Sequence, residues 1–244
     1  MDPAKLSSTR GQDLDGGSDF PRRRPVRLRR AAPAAPPMKS TRLATVHTFS
    51  QYQPDRRIDF NGFLWTRPAG GVLIDPLPLD AAGLEVLAEL GGAALILVTN
   101  ADHWRATTGL AKSLGAVVTA PLWERERLGP NAAQVTHWFE RTADLPAALR
   151  GHLDLEWVHG GKSAAEPVLD LLAEHAFLFS DIVRSHVSGR LMLLPDAKLT
   201  DRVRAVADLK RLSGRSLEAV LLGDGDCLFT GASAEFERFV ADLR

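Results

Sequence analysis

Short apolar blocks separated by turn residues run from residue 43 to the C-terminus. A strand is predicted where apolar, β-branched and aromatic residues cluster over four to eight positions between turn signals. The Pro-Ala-Gly-Gly sequence between two of these blocks also predicts a hairpin. The predicted strands are LATVHTFSQY (43–52), FLWT (63–66), GVLID (71–75), LILV (95–98), AVVTAP (116–121), HLDLEWVHG (152–160), AFLFSD (176–181) and the start of LEAVLLGDGDCLF (217–229).

Helices are predicted where the apolar spacing lengthens to three or four residues. The first has Asp80 as its N-cap and ends at a pair of glycines, and a later one has Val203, Val206 and Leu209 at helical spacing. The segment 161–175 is interpreted as a loop and the edge of an element. The predicted helices are DAAGLEVLAELGG (80–92), Trp104 to Leu114, LWERERLG (122–129), TDRVRAVADLKRLSG (200–214) and GASAEFERFVADL (231–243).

The first forty residues differ from the rest of the chain. They are rich in Pro, Arg, Ser and Gly and have no apolar period, so they cannot bury enough apolar surface to offset the entropy of ordering. We therefore predict a disordered basic tail over residues 1–40 and a folded domain over residues 41–244. Two other interpretations stay open: a true translation start at Met38, and an arm for targeting or for binding nucleic acid.

Charge and cysteine content narrow the function classes. The tail has nine basic and four acidic residues, and the remaining 204 residues have 21 basic and 26 acidic ones, so no nucleic-acid binding is expected of the folded domain. A single cysteine, Cys227, excludes an internal disulfide and a cysteine-based zinc cluster. No apolar run approaches the ~18 residues that a membrane span needs. A cytoplasmic protein is expected, in which any metal would be held by histidine and carboxylates.

Polar side chains follow four of the predicted strands. Asp102 and His103 come after LILV, Asp181 ends AFLFSD, Asp224 follows AVLLG, and Lys162 lies in the turn after HLDLEWVHG. If the strands lie side by side, these groups converge at one edge of the sheets. That convergence is typical of an active site or a binding site in an α/β protein.

The order of these segments resembles the metallo-β-lactamase fold, a four-layer αββα sandwich of metal-dependent hydrolases. NGFLWTRPAGGVLIDPLP is similar to its early hairpin, and LVTNADHWRATTGLAKSLGAVVTAP to its His-x-His-x-Asp-His segment. HGGKSAAEPVLDLLAEHAFLFSDIV resembles the turn that carries a histidine and the strand that ends in the bridging Asp. AVLLGDGDCLF resembles the last block, which usually ends in Gly-His-Gly. The resemblance covers residues 43–244 and implies an α/β fold of this type.

The resemblance also implies a site with some of its usual ligands replaced. Three histidines of the first metal site fall on Val98, Asn100 and Lys162, so that site is not expected to bind a metal. The second metal site would have Asp102, His103, Asp181, which is the bridging Asp, and Asp224, which stands where the last histidine would be. Three carboxylates and one imidazole suit a single Zn, Fe or Mn ion.

Two interpretations of these residues stay open. In one, no metal binds, Lys162 pairs with Asp181, and Asn100 and His103 complete the hydrogen bonds. The protein would then be a pseudo-hydrolase that binds a small molecule or a partner. In the other, a mononuclear enzyme hydrolyses an ester, thioester or phosphoester, with Asp102 as ligand and base and Lys162 offsetting negative charge. Asp102 and Lys162 are the candidate catalytic residues, and Asn100 is a candidate binding residue.

Overall fold

The computed structural model describes residues 37–244, so most of the predicted tail lies outside the described residues. Within this part the chain forms thirteen strands and five α-helices. The strands are β1 (Lys39–Ser40), β2 (Val46–Gln53), β3 (Ile58–Trp65), β4 (Gly71–Ile74), β5 (Ala93–Leu97), β6 (Val117–Pro121), β7 (His137–Phe139), β8 (Leu153–His159), β9 (Ala165–Leu171), β10 (Ala176–Phe179), β11 (Val183–Val187), β12 (Arg190–Leu193) and β13 (Ala219–Leu222). The helices are α1 (Ala81–Glu89), α2 (Thr107–Leu114), α3 (Arg125–Leu128), α4 (Arg202–Arg211) and α5 (Ala232–Asp242).

Two sheets and a hairpin organise these strands. The larger sheet has seven strands in sequence order, from β1 to β7. Its first four strands are antiparallel, and the pairs from β4 to β7 are parallel. The smaller sheet has the order β13-β10-β9-β8, with β10 and β13 parallel. Strands β11 and β12 form a separate antiparallel hairpin.

Three apolar clusters lie between four layers of secondary structure. The middle cluster contains Phe63 and Leu97 from the larger sheet and Leu178 and Leu221 from the smaller one, so the two sheets pack face to face. A second cluster lies between the larger sheet and the outer helices α1 and α2. The third lies between the smaller sheet and helices α4 and α5, and includes Phe236. The expected αββα sandwich is therefore confirmed.

Most of the predicted strands and helices are present in the structure at the predicted positions. Asp80 caps α1 by accepting a hydrogen bond from the Gly83 N–H, and the Pro-Ala-Gly-Gly turn joins antiparallel β3 and β4. Helix α2 begins at Thr107 rather than Trp104, because Ala101–His103 first forms a 3-10 turn. That turn holds the site residues just before the helix.

Two predictions about these elements were wrong, and one hairpin was missed. The segment 161–175, interpreted as a loop and the edge of an element, contains β9, a fully buried strand in the interior of the smaller sheet. The hairpin of β11 and β12 was not predicted. Val203 does not face the core with Val206 and Leu209, because its side chain is 81% exposed.

The carboxyl ends of four strands meet at one edge of the sandwich. Asp75 follows β4, the segment 98–103 follows β5, Asp181 lies just beyond β10, and Asp224 lies beyond β13. Each of these strands is apolar and buried, so its position in the core fixes where the following polar residue lies. None of the helices between residues 37 and 244 is both long and apolar enough to cross a membrane.

Candidate functional site

Three buried side chains form a candidate metal site at this edge. His103, Asp181 and Asp224 each offer one ligand atom, and these atoms all lie within 4.8 Å of one another. All three residues are buried. The structure thus brings together the polar residues that follow β5, β10 and β13. Asp102, the fourth predicted ligand, is not part of this group.

Asp181 is surrounded by hydrogen-bond donors and positive charges. Its carboxylate lies 2.9 Å from Lys162 Nζ and accepts a 3.0 Å hydrogen bond from the Asn100 side-chain amide. Arg184 Nη2 is 3.6 Å away and His103 Nε2 is 3.9 Å away. Burial alone would raise the pKa of Asp181, but His103, Lys162 and Arg184 outweigh it and lower that pKa below its ordinary value. Asp181 is therefore an anion at neutral pH.

Lys162 reaches Asp181 from the turn after β8. Its Nζ also lies 3.2 Å from Asp102 Oδ2, and its side chain is 20% exposed. Burial lowers the pKa of this ammonium, but Asp181 and Asp102 raise it by more, so the net pKa shift is upward. A protonated ammonium has no lone pair for a metal, so Lys162 acts here as a cation.

Asp224 is paired with two arginines. One carboxylate oxygen lies 3.1 Å from Arg184 Nη2, and the other, Oδ1, lies 3.7 Å from Arg105 Nη2. At that separation, Oδ1 has no hydrogen bond within the described residues. Burial, together with the charge of Asp181, raises the pKa of Asp224. Neither arginine was singled out from the sequence, because each comes after the strand-end residues, Arg105 before α2 and Arg184 on β11.

His103 is oriented by Asp75. Its Nδ1 lies 2.8 Å from Asp75 Oδ2, and Asp75 also accepts hydrogen bonds from the backbone N–H and the hydroxyl of Thr99. With Nδ1 donating to a carboxylate, Nε2 faces Asp181. Asp75 was not among the predicted site residues. Its position at the end of the GVLID strand was the available signal, because it matches the placement of Asp181.

Asp102 lies at the surface of the site. Its side chain is 47% exposed, and it contacts Arg127 Nη2 at 3.2 Å and Lys162. The structure therefore places it in an ion-pair cluster at the mouth of the site and beside Lys162. Asn100 lies deeper, where its side chain both caps the 3-10 turn at the His103 N–H and donates to Asp181. Val98 is fully buried in the core.

Glu166 links the two loops that carry Lys162 and Asp181. It lies on β9, is fully buried, and accepts hydrogen bonds from the N–H groups of Lys162, Asp181 and Ile182 and from the Ser180 hydroxyl. Burial, with the nearby charge of Asp181, raises the pKa of Glu166 to about 7. This glutamate was missed because its segment was interpreted as a loop.

Two adjoining cavities open over the site. The inner one has a volume of about 250 Å³ and is lined by Phe60, His103, Asp181 and Asp224, among others. The outer one has a volume of about 610 Å³. Arg56, Asp102 and Lys162 line both. Their combined size is in the range that holds a small organic molecule.

Comparison with known protein families gives a single assignment. A family model described as the metallo-beta-lactamase superfamily matches residues 38–243, which includes every site residue described above. A search of curated proteins finds no significant match. The family assignment therefore depends on this match and on structural similarity.

Solved structures share the fold at low sequence identity. A metallo-beta-lactamase from Pontibacter korlensis has a TM-score of 0.63 at 14% identity, covering 84% of this chain and 99% of that one. A metallo beta lactamase from Hirschia baltica has a TM-score of 0.60 at 17% identity, covering 85% and 97%. FIM-1 from Pseudomonas aeruginosa, in a mono-zinc form, has a TM-score of 0.61 at 12% identity, covering 85% and 96%. At such identities the similarity establishes the fold.

Proposed function

Because the chain belongs to the metallo-beta-lactamase superfamily, we propose that it is a metal-free member that binds a small molecule without hydrolysing it. The observation that carries this proposal is the 2.9 Å contact between Lys162 Nζ and Asp181 Oδ1. In the family that the sequence resembles, the aspartate at this position bridges the metals. Here a protonated amine contacts it directly, and a fixed positive charge takes the place of the ions.

The donor set argues against a divalent ion at this position. Asp102, Asp181 and Asp224 supply three negative charges, and Lys162, Arg184 and Arg105 place three positive charges within 4 Å of them. The carboxylates are thus already compensated, and an added dication would be repelled by all three cations at close range. His103, Asp181 and Asp224 have suitable ligand atoms, but their charge environment does not fit a bound metal.

Val98 and Asn100 support the same conclusion. A buried valine side chain has no donor atom, and the Asn100 amide group is directed at Asp181 as a hydrogen-bond donor. Two of the positions that would carry histidines in the family therefore serve packing and hydrogen bonding. Without a metal to lower the pKa of a bound water, hydrolysis by the family's chemistry has no nucleophile.

A second candidate function is a mononuclear hydrolase of an ester, thioester or phosphoester. The observation in its favour is the clustering of ligand atoms from His103, Asp181 and Asp224 within 4.8 Å. For this function Lys162 and Arg184 would have to move away from the two carboxylates. Asp102 would then be the candidate general base beside the ion, and Lys162 a candidate partner for the substrate.

Metal analysis separates the two functions. We expect wild-type protein purified without chelator to contain substoichiometric Zn, Fe and Mn by plasma mass spectrometry, equal to that of Asp181→Asn. We also expect EDTA to leave the melting temperature unchanged, since no bound ion stabilises the folded state. One mole of metal per mole of chain in the wild type, lost in Asp181→Asn, would establish the mononuclear site and refute the proposal.

Replacing Lys162 with methionine should lower the free energy of unfolding by about 1–3 kcal/mol at pH 7, because Asp181 loses its nearest charged partner while staying buried. The lowered pKa of Asp181 means that this stabilisation is present above its ordinary pKa of 3.8 and is lost as the pH falls through the folded value. In the variant the pKa of Asp181 rises, so the difference from wild type should narrow on acidification.

Urea denaturation at a series of pH values from 7 to 4 measures this difference. Lys210→Met is the matched control, because Lys210 is an exposed lysine on α4. The role assigned to the Lys162–Asp181 pair would be contradicted if Lys162→Met and wild type had the same free energy of unfolding at pH 7. It would also be contradicted if the difference between them grew toward pH 4.

A further inference from the structure

The outer cavity has positively charged side chains that are not used by the buried ion pairs. Its lining includes the cations Arg56, Lys162, Arg184 and Lys198, with Asp102 as its acidic residue. Lys162 and Arg184 are committed to Asp181, Asp224 and Asp102. The charge available to a ligand therefore comes from the remaining cations.

Arg56 and Lys198 are those free cations. In the part of the chain from residue 37 onward, neither forms an ion pair with a carboxylate, and both are exposed. The Arg56 guanidinium carbon lies 5.3 Å from the centroid of the Phe60 ring, which is within the range of a cation–π interaction. The rim of the cavity thus has two unmatched positive charges.

One wall of the same cavity is apolar. Pro195 and Ala197, which are exposed, line it next to Lys198, whereas Leu194, which also lines it, is only 1% exposed and belongs to the apolar cluster beneath α4 and α5. An apolar wall beside two free cations suits a molecule with a compact anionic group and a small apolar body. A free inorganic ion would use the cations but leave this wall without contact.

We propose that the outer cavity binds a small organic phosphate monoester, with its phosphate between Arg56 and Lys198 and its body against Pro195 and Ala197. A phosphate monoester carries about −1.5 to −2 charge at pH 7, which matches two free cations, whereas a monocarboxylate leaves one unmatched. Guanidinium groups also bind phosphate oxygens in a bidentate manner. The assignment rests on the proposed function, because it identifies the small molecule that the metal-free pocket takes.

Isothermal titration calorimetry with phenyl phosphate, benzoate and phenol tests this assignment on the full chain. Phenyl phosphate should bind more tightly than benzoate, phenol should not bind measurably, and added salt should weaken the phosphate complex. Arg56→Gln and Lys198→Gln should each reduce the affinity for phenyl phosphate about tenfold, as expected for the loss of one charge-assisted contact. Arg150→Gln and Lys210→Gln, which change exposed cations outside the cavity, should bind like wild type.

The outcomes separate this inference from the proposed function. Metal-free protein that does not bind phenyl phosphate, or that binds benzoate equally well, overturns the phosphate assignment and leaves the proposed function standing. Equal affinity in wild type, Arg56→Gln and Lys198→Gln overturns the placement at these residues. Binding that requires a stoichiometric metal and is abolished by EDTA overturns the proposed function, and overturns this inference as well, since the ligand would then be held by the ion.

Discussion

Replacing Glu166 with alanine is expected to lower the free energy of unfolding by about 3–4 kcal/mol, the largest effect of any single change at this site. The carboxylate accepts hydrogen bonds from three backbone N–H groups and one hydroxyl, and Glu166 is fully buried. Alanine would leave these donors without a partner in a place that water reaches poorly. The two loops that position Lys162 and Asp181 would lose their common anchor.

Chemical denaturation of two further variants sharpens the test. Glu166→Gln keeps one carbonyl acceptor but turns an amide N–H₂ toward donors, so an intermediate loss is expected. Glu85→Ala, on the exposed face of α1, should change stability by less than about 0.5 kcal/mol. If Glu166→Ala is no less stable than Glu85→Ala, Glu166 does not hold the two loops together.

Replacing Asp75 with alanine is expected to cost about 2–4 kcal/mol, for two reasons that can be measured separately. Asp75 accepts hydrogen bonds from the Thr99 N–H and hydroxyl and pairs with His103 Nδ1 at 2.8 Å. Its backbone φ is +48°, a conformation that aspartate and asparagine tolerate better than alanine does. Asp75→Asn keeps that tolerance and one acceptor, so it should retain part of the lost stability.

The orientation of His103 gives a readout beyond stability. In wild type the ring should be protonated at Nδ1, which faces Asp75, and nitrogen NMR of the imidazole should show this tautomer fixed. In Asp75→Ala the tautomers should mix. Asp55→Ala, a change at an exposed aspartate in the turn between β2 and β3, is the control. An unaltered His103 spectrum in Asp75→Ala would show that Asp75 does not set the tautomer.

Polar residues inside strands explain where the prediction of elements failed. Strand β9 contains Glu166, Pro167 and Asp170, so its sequence has neither an apolar run nor an alternating pattern. It is nevertheless a buried strand, because Glu166 receives hydrogen bonds from adjacent loops and Asp170 pairs with Arg215. Apart from Lys162, these partners lie 14 or more positions away in the chain, and a local pattern contains no information about them.

The same reason limited the prediction of the site. Asp102, His103, Asp181, Asp224 and Lys162 could be identified because each follows a recognisable strand. Arg184 could not, because it lies on β11, a short strand of the hairpin that was not predicted. Arg105 likewise lies in the connection between the 3-10 turn and α2, and only the packed structure places it beside Asp224.

The sequence by itself determined the order of most strands and helices, because apolar period and turn chemistry are local properties. The resemblance of four segments to a known family added the class of the fold, and the strand ends indicated the edge at which the polar residues meet. The tertiary structure decided which charges meet there: Lys162 at Asp181, Arg184 and Arg105 at Asp224, and Asp75 at His103. Electrostatic interactions depend on the distances between charged groups, here up to 119 positions apart in the chain for Arg105 and Asp224, and those distances exist only after the two sheets have packed.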